Sequence, residues 1–470
     1  MKIVFGCDLH LPRDHRAVQY DAFEFLLGEA RKAELFVFAG DISANGDIGT
    51  VRYFLEKVSG LDLLSAVIAG NSDLRTAETA GEISGMFSSR VILAENIRVF
   101  LISDADGRIA DEDFRLLESA SDGDIVVTHH PARNLGKRFF EWRSTHSGVR
   151  HFFGHIHSFA AEGNDVSLLA ADPDKAIGEE PGLVIFDTVS GEIERRHFSC
   201  PMPELSDFIG LSCMKPLVDI PYATRERLRV IELRGNSLSL DRRVISELIG
   251  KWRGAGGRML SLHAPEIRMR DGVISADGFD EFLEFANFLG VDRITLHVPD
   301  MSVSEAISGG LDRIVEFASE KLALLPEGCA IGIENMHMTA GDTLQTRRFG
   351  YTPDECREYV KKLRSALPER MIGFHLDIGH ARNNRPLSEE FTLGEWYAEL
   401  GNEINGYHIH QVTPEFENHT PIVEPYGRLI SLASLFRCWE DRTISHAPLI
   451  VEVRGGAYDV TIKLLRGEKL

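Results

Sequence analysis

Lys2-Ile3-Val4-Phe5-Gly6 runs straight into Cys7-Asp8-Leu9-His10: a short β-rich apolar run that ends in a carboxylate and an imidazole. The same junction recurs down the first 200 residues. Leu35–Ala39 leads into Gly40-Asp41, and residues 65–69 lead into Gly70-Asn71-Ser72-Asp73. Residues 124–128 lead into His129-His130, and residues 149–153 into Gly154-His155-Ile156-His157. Between these runs, residues 16–32 and 47–58 carry apolar side chains at helical spacing. Strands that alternate with helices and end in polar loops predict an α/β domain with its ligands at the carboxyl ends of the strands. The runs at 183–187 and 192–198 read as antiparallel strands that close the sheet.

Outward from this region, Ser199-Cys200-Pro201-Met202-Pro203 reads as a linker, because two prolines oppose both helix and ladder. Eight further β-like runs follow, at 208–212, 229–233, 258–263, Arg293–His297, 329–334, 371–377, 404–410 and 448–452. Helical candidates lie between them at 280–289, 302–324, 353–367 and 427–439. Eight βα units in about 270 residues predict a (β/α)8 TIM barrel. The expected organisation is therefore an α/β sandwich over residues 1–200 and a barrel over residues 204–470.

A chain of 470 residues is long for one core, and its 43% hydrophobic and 26% charged residues are those of a water-soluble globular protein. Nothing approaches about 18 consecutive apolar residues, so no membrane span is expected. The amino terminus enters a strand without the apolar core of a secretion signal. Cys7, Cys200, Cys213, Cys329, Cys356 and Cys438 stand apart with no CxxC pair, which predicts reduced thiols in a cytoplasm. The net charge of −21 lowers the expectation of long nucleic acid as a partner, since binding duplex DNA rests on a basic surface. A small phosphorylated substrate is favoured, and a homo-oligomer is compatible with everything in the sequence.

Asp8, His10, Asp41, Asn71, His129, His155 and His157 all fall just beyond strands. A dinuclear site needs hard, partly anionic ligands and one carboxylate that can bridge two ions about 3.5–4 Å apart. One strand-end histidine alone is as a rule structural, but seven such residues in this order are hard to obtain as solvated loop residues. The ordered set Asp-x-His, Gly-Asp, Gly-Asn-x-Asp, His-His-Pro and Gly-His-x-His resembles the calcineurin-like metallophosphoesterases. That resemblance implies one ion on Asp8, His10 and His157, a second on Asn71, His129 and His155, and Asp41 as bridge. It implies two divalent ions (manganese, iron or zinc) and attack of activated water on a phosphoester. His130 is then a substrate contact or a support for the ligands. Many members have His where this chain has Ser72, and a hydroxyl is no acid near neutral pH. Either another group takes that part, or substrates with good leaving groups are favoured.

The second half repeats the pattern with His263, His297, Glu334, Asp377 with His380, His410, Glu417 with His419, and Glu452. An unpaired carboxylate inside a barrel is costly, and convergence of Glu334, Asp377, His410 and Glu452 on one metal would explain their presence. This half resembles the xylose isomerase-like barrels, a superfamily that includes sugar isomerases, epimerases and endonuclease IV. The nine residues match the motifs of the three-metal endonuclease IV centre in order, except that Glu417 stands where that motif has Asp. The resemblance implies one to three ions of zinc, manganese or iron, with Glu334 and Glu452 among the catalytic residues. His337, His375, His408 and His446 read as packing or hydrogen-bonding residues, and Cys7 as a small buried one. Gly254-Ala255-Gly256-Gly257 precedes a strand and so is not a phosphate-cradling loop.

The expected function is a bifunctional metal-dependent hydrolase: a two-metal phosphodiesterase or phosphatase joined to a second phosphoesterase in the barrel. One alternative couples the phosphatase to a sugar-phosphate isomerase or epimerase, and another is a repair or defence nuclease acting on abasic or modified DNA ends. The ligand surplus over a one-metal isomerase core yields a prediction. A fragment of about residues 204–470 should purify with two or three metal equivalents, and His297→Ala should lose one and keep the Glu334–Asp377–His410–Glu452 ion. A single equivalent that is indifferent to His297→Ala, by elemental analysis, would favour the isomerase.

Overall fold

The computed structural model describes residues 1–339, 341–343, 346–382, 391–413 and 418–469. The chain divides into two compact units: Met1–Pro201 with Pro425–Arg437, and Met202–Glu424 with Cys438–Leu470.

The first unit is built on two sheets. One joins β1 (Lys2–Gly6), β2 (Leu35–Ala39) and β3 (Leu64–Ile68) in parallel. The other begins with β4 (Arg90–Ala94) and β5 (Ile97–Leu101), a hairpin that sequence periodicity did not mark. It continues in parallel through β6 (Ile125–Thr128) and β7 (Arg150–Phe153), with β8 (Ala160–Glu162) and β9 (Asp165–Ser167) at its far edge. As expected, β10 (Gly182–Asp187) and β11 (Ile193–His197) are antiparallel and extend the first sheet beside β1. Alternate residues of the two sheets meet in a shared core of Ile3, Phe5, Val37, Val99, Val127 and Phe152. There the Phe5 and Phe152 rings stack at 4.0 Å. Helices Val18–Ala30 and Ile48–Ser59 cover the first sheet's other face, where Leu26 packs against Gly6 and Phe54 against Phe38.

The second unit is a closed parallel barrel. Its strands are β12 (Ile209–Cys213), β13 (Val230–Leu233), β14 (Met259–His263), β17 (Arg293–His297), β18 (Ala330–Glu334), β19 (Ile372–Asp377), β20 (Ile404–Ile409) and β21 (Leu449–Val451). β21 pairs back to β12 and closes the ring. A hairpin of β15 (Arg268–Arg270) and β16 (Val273–Ser275) is inserted after β14. These are the eight runs read from the sequence. Two helices differ from expectation. The helix expected over 302–324 breaks at Ala306–Gly310, where Gly309 adopts φ +90, and resumes as Leu311–Leu322. The helix expected from 427 begins at Ala433, because Leu432 N–H first returns to Pro425 O at 2.8 Å.

Inside the barrel, Gly332 and Gly406 leave room for a fully buried Arg293, whose guanidinium would lie within 2.7 Å of a Cβ at either position. The interior is thus partly polar rather than the usual stack of branched apolar residues. In the first unit, Phe152→Ala should cost about 3–5 kcal/mol by leaving a cavity between the sheets. The check is the urea transition of that unit, and a loss below about 1 kcal/mol would contradict this packing.

Candidate metal centres

In the first unit the loops after β1 and β2 are zipped together. Asp8 N–H donates to Gly40 O at 2.9 Å, and the Leu9 and His10 N–H groups donate to Asp41 O at 2.9 and 3.0 Å. Asp8, His10, Asp41, His155 and His157 all hold left-handed backbone, with φ of 51, 44, 58, 68 and 64. Each such residue costs on the order of 1 kcal/mol or more, so the strain is concentrated on the expected ligands.

Asp8, His10, Asp41 and His157 bring one donor atom each within 4.8 Å of one another, and His129, His130 and His155 form a second such group. Asp41 faces both: Oδ2 is 3.1 Å from His10 Nε2, and Oδ1 is 3.5 Å from His129 Nε2. Asn71 Oδ1 lies 3.0 Å from His129 Nε2 and 2.8 Å from His155 Nδ1. His129 Nδ1 donates to Ala39 O at 2.9 Å, which aims Nε2 inward. The structure therefore brings all seven expected residues together, with His130 beside them.

Ser72 does not face this centre. Its N–H donates to Asp41 Oδ1 at 2.7 Å, while its hydroxyl is fully buried and donates to Ser43 O at 2.7 Å. Asp104 clamps the His129–His130 backbone, its two oxygens each accepting one N–H at 2.8 Å. Asp172 Oδ2 stands 3.5 Å from His10 Nδ1, and Gln19 Nε2 holds the other Asp172 oxygen at 3.0 Å. The sequence reading missed Asp104, Asp172 and Gln19; Asp104, three residues past β5, had the strand-end signal had β5 been recognised.

Burial would raise Asp41, but His129, His10 and the Ser72 N–H together hold it well below the carboxylate range. Burial would lower His129, yet Asp41, Asp8 and Asp104 raise it to about 9. Asp8 and Asp41 are both fully buried, so this donor set fits a cation that would take over that compensation.

In the barrel, Glu334 is the hub. Oε2 lies 3.0 Å from His263 Nε2 and 3.2 Å from His297 Nε2, while Oε1 lies 3.0 Å from His408 Nδ1. Three donor groups form: His263, His297 and Glu334; Glu334, Asp377, His408 and Glu452; and His380, His410 and His419. His408, which the sequence suggested was structural, thus takes the position expected of His410 in the core quartet. His410 Nε2 instead sits 2.9 Å from Asp377 Oδ1. Glu417 lies outside the described residues. Asn335 aligns Asp377 by pairing with its backbone, accepting Asp377 N–H at 2.8 Å and donating to Asp377 O at 3.1 Å.

Burial lowers His380 to about 4 and His419 to about 3, which leaves both imidazoles neutral and able to ligate near neutral pH. Glu232, Glu334, Asp377 and Glu452 are all fully buried, and Arg234 is ion-paired with Glu452. Four buried carboxylates, with one guanidinium against Glu232 and Glu452, fit a divalent cation. A cavity of about 860 Å³ opens on this centre, and its wall carries Glu334, His419 and Glu452 with Arg234, Arg348 and Arg454. Glu232 and Arg234 also escaped the sequence reading. Glu232 carried a signal, a carboxylate inside an apolar barrel strand.

Residues 1–159 match the family described as calcineurin-like phosphoesterase, and residues 255–466 match that described as xylose isomerase-like TIM barrel. The chain thus joins a metallophosphoesterase region to a xylose isomerase-like barrel, both families being typically dependent on divalent metals. Over 85 residues it is 35% identical to a "probable cyclic nucleotide phosphodiesterase" of Xenorhabdus bovienii (strain SS-2004), over 16% of this chain and 34% of that protein. The chain therefore spans about a third of that curated relative's length. Among solved structures, endonuclease IV from Thermus thermophilus superposes with a TM-score of 0.40 at 17% identity, covering 55% of this chain and 97% of that one. A dimetal phosphatase from Danio rerio superposes with a TM-score of 0.31 at 10% identity, covering 39% and 91%. No helix among the described residues is long and apolar enough to cross a membrane.

A Cβ at Gly70 would lie 2.3 Å from both the N and Oδ1 of Asp41. Gly70→Ala should therefore displace Asp41 and weaken manganese binding at the first centre by ~10-fold or more, with the barrel unaffected. Unchanged affinity in a chelator competition would contradict this geometry.

Proposed function

We propose that the chain is a bifunctional metal-dependent hydrolase whose first unit cleaves phosphoesters, phosphodiesters among them. The observation that carries this reading is Asp41, a buried carboxylate with one oxygen toward His10 and the other toward His129. Asp8, His10 and His157 would hold one divalent ion and Asn71, His129 and His155 the other, with Asp41 between them. Manganese, iron and zinc all suit this mixture of carboxylate, amide and imidazole donors. Ions so held supply an activated water and stabilise charge on the phosphoryl oxygens.

The chain's own residues do the rest. Asp104 fixes the turn that presents His130, whose ring stands 4.4 Å from that of His155, and His130 contacts the substrate there. With the Ser72 hydroxyl committed to Ser43, position 72 gives no proton to the departing oxygen, so esters with good leaving groups are favoured.

The barrel, in this proposal, is a second metal-dependent phosphoesterase using His263, His297, Glu334, Asp377, His380, His410, Glu417, His419 and Glu452, with Glu334 and Glu452 catalytic. Three donor groups, two of them sharing Glu334, support more than one ion. A second reading, a sugar-phosphate isomerase or epimerase, draws on the cavity, whose three arginines suit a small anionic substrate. The net charge of −21 disfavours a nuclease on long DNA. Six buried cysteines, with no disulfide among the described residues, support a reducing cytoplasm.

Asp41→Asn tests the first assignment. Turnover of an activated aryl phosphodiester should fall ~10²-fold or more, because the bridging charge is lost. Near-wild-type turnover in fully metallated mutant protein would overturn it.

A further inference from the structure

Glu232 has no part in the ligand sets above, yet it is fully buried on β13 inside the barrel. Its oxygens are fully engaged. Oε2 accepts the Thr295 hydroxyl at 2.6 Å and the Ser261 hydroxyl at 3.0 Å, and Oε1 faces His408 Nε2 at 2.8 Å. Arg293 Nη1 supports the arrangement from below by donating to Thr295 Oγ1 at 3.0 Å. A buried carboxylate with this many partners is costly to build, and an apolar side chain would fill the space at less cost.

The consequence falls on His408. Glu232 can only accept, so His408 Nε2 carries a proton, and Nδ1 is the nitrogen that takes either a second proton or a cation. That nitrogen lies 3.0 Å from Glu334 Oε1, 2.9 Å from Glu452 Oε2 and 3.6 Å from Asp377 Oδ2. A bare lone pair among three carboxylates is repulsive, so Nδ1 meets positive charge there, either its own proton or a cation that replaces it. His410 is committed differently. Its Nδ1 faces both the His419 N–H at 3.0 Å and Gln411 O at 3.2 Å, while its Nε2 faces Asp377 Oδ1 at 2.9 Å.

We propose that Glu232 is a positioning residue that fixes His408 as the Nε2–H tautomer, so that His408 Nδ1 joins Glu334, Asp377 and Glu452 around one divalent cation. His410 then supports Asp377 instead of ligating that ion. The inference rests on the reading of the barrel as a metal centre. It follows the general pattern in which an imidazole ligand donates its other N–H to a carboxylate.

The test is a manganese titration of the chelator-stripped full-length chain, read by chelator competition, in the wild type and in Glu232→Gln, His408→Ala and His410→Ala. Glu232→Gln should loosen the tightest barrel ion by ~10–100-fold. His408→Ala should abolish that ion, and His410→Ala should keep it, while the first centre binds alike in all four proteins. A merely structural Glu232 would lower the melting temperature of the stripped protein and leave manganese affinity unchanged, which would overturn the proposal. So would loss of the ion in His410→Ala with retention in His408→Ala, a comparison that stands even if Glu232→Gln fails to fold. A wild-type barrel that binds no manganese would instead overturn the metal reading on which the inference rests.

Discussion

Uncompensated negative charge inside the fold is the constraint on which both centres depend. Asp8 and Asp41 in the first unit, and Glu232, Glu334, Asp377 and Glu452 in the barrel, are withdrawn from water almost completely. Taking a carboxylate out of water costs several kcal/mol, and only close positive charge offsets it. In each centre imidazoles stand where that charge must be, at 2.8–3.5 Å from the carboxylate oxygens. Divalent cations meet the same demand more fully, and they bring Lewis acidity to the place where a substrate would sit.

The two units satisfy this constraint by different means. The sandwich supplies its donors from loops beyond strand ends, and left-handed backbone at five donor residues aims them inward. The barrel supplies most of its donors from the strands themselves, where alternation already points every second side chain into the interior. Strain does little of the aiming there; among the barrel's described donor residues only His419, with φ 66, is left-handed. Asn335 and Glu232 act in its place, one setting the Asp377 backbone and the other the His408 ring.

Much of this was legible in the residue order. Each first-unit donor follows its β-run, and all eight barrel strands were visible as apolar runs, because strand ends and parallel-strand burial leave local patterns. The choice between His408 and His410 was not legible. His408 lies on β20 and His410 just past its end, two residues on and so toward the same face, and only their depth in the barrel distinguishes them. Asp104, Asp172 and Gln19 were also hidden, since each acts through a partner distant in sequence. The late start of the helix at Ala433 has the same origin, as residues 425–432 fold back on themselves before helical spacing takes over.

Divalent cations organising the buried carboxylates of both units would be visible directly in crystals of the full-length protein grown with manganese, with data collected on the manganese absorption edge. The account predicts anomalous peaks in coordination contact with Asp41 and with Glu334, Asp377 and Glu452. A well-ordered map without peaks at those carboxylates, with the histidine–carboxylate contacts intact, would contradict it.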